Sequence, residues 1–179
     1  MSPASDPLTA SERAIDSYLE ALLEEPGGES DGAQASTSER YCIFDVSGLA
    51  IAVPEGSVRG EMSCPPLQAS PSTPPWLRRT AGGEPGQWIV DLALLTLPHD
   101  LSPDQIPLEE RCDRVLVLGD GDWGVAVEGA TRPTVITTDE VCWRGPLGIR
   151  PWLAGTVVEK RCVLLDLDSI RQLGRFGGK

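Results

Sequence analysis

The sequence predicts a mostly β protein built from two copies of one small barrel unit, preceded by an amphipathic helix on a flexible tether. Three observations carry this expectation. The first is internal repetition: the stretch Tyr41–Val53 returns 74 positions later as Val115–Val127, and Pro75-Trp76-Leu77 returns at Pro151-Trp152-Leu153 with an offset of 76. Ile89-Val90-Asp91-Leu92 returns as Leu164-Leu165-Asp166-Leu167, an offset of 75. Matches in the same order at nearly constant spacing mark a duplicated unit, and a seam between two barrels is the first place to look for binding. The second is composition. Sixteen prolines and nineteen glycines among 179 residues favour many turns over a helical bundle. The third is a change of period near residue 40, from helical spacing to alternation.

The elements follow in order. Thr9-Ala10-Ser11-Glu12 is a capping-box pattern, whose hydroxyl and carboxylate would satisfy free amides of a first helical turn. Ala14, Ile15, Tyr18, Leu19, Leu22 and Leu23 then make one apolar stripe, opposite Asp16, Glu20 and Glu24, and Pro26-Gly27-Gly28 stops the helix. Residues 1–25 are therefore a helical segment, and 26–39 a linker with little to bury. A helix of about four turns is marginal alone in water. Its stripe must lie on a surface, either on its own domain or on a partner, and the sequence leaves both open.

Residues 40–179 form the β body, with half-repeats at 40–97 and 113–174. Runs at 40–46 and 49–53 flank Ser47-Gly48 as a hairpin. A third strand is expected over Val58–Met62, then a proline-rich loop, strands near 76–80 and 87–90, and a helical turn at 91–97. Residues 98–112 join the halves. The second copy repeats the plan with strands at 113–118, 122–127, 133–137, 152–158 and 161–165 and a last helix at 167–174. Many short, evenly spaced strands mean small antiparallel barrels.

Charge and motifs restrict the function. The net charge is −12, with nine acids against Arg13 in residues 1–39 and eighteen acids against fourteen bases in the remainder. Such a chain is repelled by phosphate backbones and anionic lipid, so neither nucleic acid nor membrane is an expected partner. No apolar run reaches the length of a membrane span, and no signal peptide is read at the N-terminus. The five cysteines (42, 64, 112, 142 and 162) are odd in number, contain no C-x-x-C pair, and read as reduced thiols of a cytoplasmic protein.

No catalytic constellation emerges, and no cofactor or metal is expected. Gly119-Asp120-Gly121-Asp122-Trp123-Gly124 matches G-x-G-x-x-G, the basis for a nucleotide-binding enzyme as an alternative class. The glycines precede an alternating strand rather than a helix, which favours a hairpin turn. Asp91 and Asp166 close equivalent strands before helical turns, where a carboxylate accepts backbone amides as an N-cap. The lone histidine, His99, lacks companions for a zinc site. Trp76 and Trp152 read as equivalent core plugs, and Trp143 beside Arg144 as the tryptophan nearest the surface. With thirteen arginines to two lysines, Arg78, Arg79, Arg144 and Arg150 suit planar contacts to carboxylates.

Together these segments resemble the CheW family, the adaptors of bacterial chemoreceptor arrays. The resemblance rests on the first hairpin with Ile51–Pro54 and Val58, on Ile89–Leu92 with Leu95, and on Arg114–Leu118 through Gly124–Val127. It ends on Trp152–Gly155 followed by Val163–Leu167. It implies two intertwined five-stranded SH3-like barrels and no chemistry. It also implies a bridge between the histidine kinase CheA, packed on a barrel end, and chemoreceptor cytoplasmic tips, seated in the groove. On that basis Val58, Met62, Arg78, Arg79, Trp143 and Arg144 are the candidate groove and rim residues. Ile15, Tyr18, Leu19, Leu22 and Leu23 are the candidate contacts of the helix.

The family usually carries an arginine before the Val-x-Asp-Leu strand, and counting back from Asp91 places Gly83 there, next to Glu84. Glu128 stands where the family has aspartate. A divergent CheW-like body behind an acidic helix is similar to the ParP-like accessory adaptors, which implies placement of arrays at the cell pole and a ParC-type ATPase as partner of the helix. A plain CheW coupling protein of a chemotaxis or pilus system is the alternative.

Overall fold

A computed structural model describes residues 10–25, 36–82, 86–144 and 149–174. Locally, the two copies are built by the same chemistry. In the first, β5 (Leu77–Thr80) pairs with β6 (Trp88–Val90) and leads into α2 (Leu92–Thr96). In the second, β10 (Leu153–Val157) pairs with β11 (Cys162–Leu165) and leads into α4 (Leu167–Gly174). The Asp91 amide donates to the Trp76 carbonyl at 2.7 Å and the Asp166 amide to the Trp152 carbonyl at 2.8 Å. The Asp91 carboxylate accepts from the Leu94 amide at 3.3 Å, and that of Asp166 from the Ser169 amide at 3.0 Å. The expected N-caps are present in both copies.

The hairpins differ in one instructive way. β1 (Ser38–Val46) and β2 (Leu49–Pro54) meet at Ser47 and Gly48, both at positive φ, a tight two-residue turn suited to strand twist. β7 (Arg114–Leu118) and β8 (Trp123–Thr137) are joined by four residues, 119–122, with Gly119 and Gly121 at positive φ. The strand before the turn is thus displaced by two positions relative to the ungapped sequence match. Because side chains alternate with period two, a shift of two keeps apolar positions facing inward and hides the insertion from the sequence. The G-x-G-x-x-G segment is this turn.

Two open ribbons result. The first runs β8–β1–β2–β11–β10–β9, with β9 spanning Val141–Trp143; the second runs β4–β5–β6–β8–β7–β3, with β3 at Val58–Ser63 and β4 at Leu67–Ala69. Each ribbon mixes the copies. The first hairpin pairs with strands of the second copy through the parallel contact of Ile51 with Val163; the second hairpin pairs with strands of the first through that of Val90 with Val125. β8 serves both, its first part beside β7 and β6 and its last part beside β1.

The ribbons are not closed into the two five-stranded barrels that the resemblance implies: no ladder joins β3 to β4 or β8 to β9 among the described residues. The two predicted strands at 122–127 and 133–137 are one continuous strand. β4, β9 and α3 (Leu108–Arg111) were not anticipated, and the predicted linker ends early, since Ser38 and Glu39 belong to β1.

Alternation along these strands fills three compartments. Phe44, Ile51, Leu116, Val125 and Val163 face a central slab shared by both ribbons. Ile43, Ala52, Ile136 and Leu164 point into the curl of the first ribbon, and Ile89, Val115 and Ala126 into that of the second. Strands buried on both faces explain the near-continuous apolar runs. Gly124 permits the close approach of β7, since a Cβ there would stand 2.5 Å from the Leu116 carbonyl oxygen. Trp152 is a core plug as expected. Trp76 is only half-buried, and Trp123 is the other fully buried tryptophan.

Helix α1 (Ala10–Glu24) lies on this body. Ile15, Leu19, Leu22 and Leu23 are buried in the central slab, so the stripe docks on its own domain. Thr9 of the predicted capping box, most of the predicted linker, and Gly83 with Glu84 fall outside the described residues.

Candidate interaction surfaces

The six groove and rim candidates do not converge. Val58 packs against the central slab while Met62, beyond an irregularity in β3, packs into the second ribbon's curl. On β5, Arg79 stacks over the Trp88 ring at 5.2 Å, a cation–π contact. Its neighbour Arg78 necessarily points to the opposite face, where its Nε is buried with no hydrogen-bond partner among the described residues. Trp143 sits at the far edge of the other ribbon, opposite Gly155, half-buried against the first ribbon's curl rather than exposed. Arg144 is committed to α1: its Nη2 donates to the Leu22 carbonyl at 2.7 Å.

The residues that do form a surface together are those holding α1. Arg150 donates to both carboxylate oxygens of Glu25 at 2.8 and 3.0 Å, and Arg144 lies 3.8 Å from the same carboxylate. Arg161, in the β10–β11 turn, pairs with Asp16 at 2.8 Å and with Glu20 at 3.6 Å. From the other side Tyr18 donates its hydroxyl proton to the Thr96 carbonyl at 2.8 Å. Burial raises the Tyr18 pKa, so this donor stays protonated. The helix rests on β2, β10 and the 3₁₀ turn His99–Leu101.

In strand order, β8 and β5 of the second ribbon correspond to β2 and β10 of the first. On that related face the covering groups are side chains. Arg79 lies over Trp88 of the intervening β6, and Arg171 of α4 lies 5.9 Å from the Trp123 ring. Alongside is a hollow of about 310 Å³ lined by Arg59, Gly119, Asp120, Trp123 and Arg171. Arg59 donates to the Gly119 carbonyl at 2.6 Å, and Arg171 pairs with Asp122 at 3.2 Å.

Two polar contacts join distant segments of the body, one buried and one part-buried. Arg111, from the segment joining the halves, makes a two-pronged ion pair with Asp91, their side chains 7% and 1% exposed. Glu128 receives the Ser47 amide at 2.7 Å and its hydroxyl at 3.3 Å, tying β8 to the first hairpin turn. Desolvation nevertheless raises the Glu128 carboxyl above its usual value, against the lowering effect of the Ser47 bonds. Neither contact was visible in the sequence, because both join residues distant along the chain. Asp91 and Asp166 each serve a local cap. Burial pushes the thiols of Cys112 to about 12 and Cys162 to about 11, which keeps them protonated. No cluster of metal-binding side chains occurs among the described residues.

The architecture defines a class: a duplicated β fold whose copies exchange strands around a common slab. That is the CheW fold. The chain superposes on the solved scaffolding protein TtCheW from Thermoanaerobacter tengcongensis with a TM-score of 0.56, covering 78% of this chain and 90% of that one at 10% identity. At that identity the likeness is one of fold. No protein-family model and no curated protein sequence matches the chain.

Proposed function

We propose that the protein is a non-catalytic adaptor of a bacterial chemosensory array, working in the cytoplasm to connect a CheA-type histidine kinase with chemoreceptor tips. The observation that carries this reading is the superposition on nearly the whole of a CheW scaffolding protein. It is supported by the Arg79–Trp88 stack on the second ribbon, since these residue types dominate binding energy at protein interfaces. The test is capture of a purified CheA-type kinase from the source organism by the full chain, measured by calorimetry. Binding at or below tens of micromolar is expected, and none at 100 micromolar, a weak limit for an adaptor, overturns the reading.

The finer assignment is an accessory adaptor of the ParP kind that helps hold arrays at the cell pole through a ParC-type ATPase. What favours it over a plain coupling protein is the acidic helix α1 ahead of the CheW-like body, together with Gly83 where the family's receptor-contacting arginine stands. Reconstitution separates the two. A plain coupling protein alone restores receptor control of CheA, whereas an accessory adaptor binds the kinase without restoring it.

A further inference from the structure

We infer that the seat beneath α1 is an exchangeable helix-docking groove, in which α1 is the occupant supplied in cis and an acidic amphipathic helix of a partner is the occupant in trans. The groove recognises three features of a helix. Its floor takes apolar side chains at the spacing of Ile15, Leu19, Leu22 and Leu23, all buried. Its rim places Arg161 and Arg150 against carboxylates at the positions of Asp16, Glu20 and Glu25. At its end Arg144 receives the free carbonyl of the last turn, a contact that any helix end provides.

Attachment of α1 is of a kind that can be exchanged. No strand ladder joins it to the body; it is held by side chains and by hydrogen bonds to two carbonyls, of Leu22 and Thr96. The rim pair of Arg161 with Asp16 is half-exposed, with side-chain exposures of 48% and 53%. Exposed pairs of that sort add little grip, and charge complementarity of this kind gives specificity more than affinity. A helix laid by its apolar stripe in a groove is a recurrent recognition mode. Being part of the same chain, the cis helix acts at a high effective concentration, so a trans helix wins only when α1 is loosened or the partner binds more tightly.

The test uses full-length protein and a fluorescent peptide with the sequence of residues 10–25, followed by anisotropy. Wild-type protein should bind it weakly. Leu19→Asp with Leu22→Asp expels the cis helix and should tighten peptide binding at least tenfold, and adding Arg150→Glu with Arg161→Glu should cancel that gain. Hydrogen exchange on the unmodified protein supplies a readout that needs no variant: α1 amides should exchange at least a hundredfold faster than those of β2 and β11. Failure of the loosened, still β-folded variant to bind the peptide overturns the inference. So does exchange of α1 only at the rate of the sheet, or a concentration-dependent dimer with α1 traded between two copies. None of these outcomes depends on the chemosensory reading.

Discussion

Replacing Arg111 by methionine isolates the buried ion pair with Asp91. Both side chains are nearly sealed from water, and the guanidinium donates two hydrogen bonds to the carboxylate, one at 3.3 Å, and a third at 2.9 Å to the Ile106 carbonyl. Methionine keeps most of the volume but leaves the Asp91 carboxylate buried with only the Leu94 amide among the groups described here. Breaking a buried pair from one side costs about 3–5 kcal/mol. At about 2–4 °C per kcal/mol for a domain of this size, the melting temperature should fall by about 6–20 °C.

The duplication supplies an internal control. Asp166 holds the same cap in the second copy with no ion pair among the described residues, and asparagine caps as well as aspartate, so Asp166→Asn should cost under about 0.5 kcal/mol. Urea unfolding of both variants, and of Asp91→Asn with Arg111→Met, completes the measurement. The double variant should be more stable than the sum of the singles by about 1–3 kcal/mol. A loss under 1 kcal/mol for Arg111→Met, or an Asp166→Asn loss equal to it, refutes the claim that this pair fastens the joining segment to the first copy.

Two further outcomes are expected. Gly124→Ala should destabilise by about 1–3 kcal/mol, because its Cβ meets the Leu116 carbonyl oxygen at 2.5 Å, whereas Gly60→Ala, with open space around it, should stay within about 0.5 kcal/mol; thermal unfolding checks both. The Glu128 carboxyl has a raised pKa in the folded protein, so the native state holds its proton more tightly than the unfolded chain does. The stability from that site is present below the ordinary carboxylate range and is lost as pH rises through the folded value. Glu128→Gln, which retains an acceptor for the Ser47 amide, should therefore gain on the wild type between pH 4 and pH 7. Parallel urea midpoints across that range would refute it.

The sequence by itself determined what depends on near neighbours. Alternation set β1, β2, β7 and β11, the aspartates before α2 and α4 set their caps, and the fixed offset revealed the duplication, because period and capping act within a few residues. Even the unseen two-residue insertion at 119–122 did no harm, since it preserved the alternation. Only the tertiary structure decided which strand pairs with which. The parallel contacts of Ile51 with Val163 and Val90 with Val125 join the copies crosswise, and an apolar face carries no label naming its partner. For the same reason the stripe of α1 was legible but its seat was not. Arg144 and Arg150, which the sequence marked only as suited to carboxylate contacts, and Arg161, which it did not single out, acquire a role only where folding brings them to one helix.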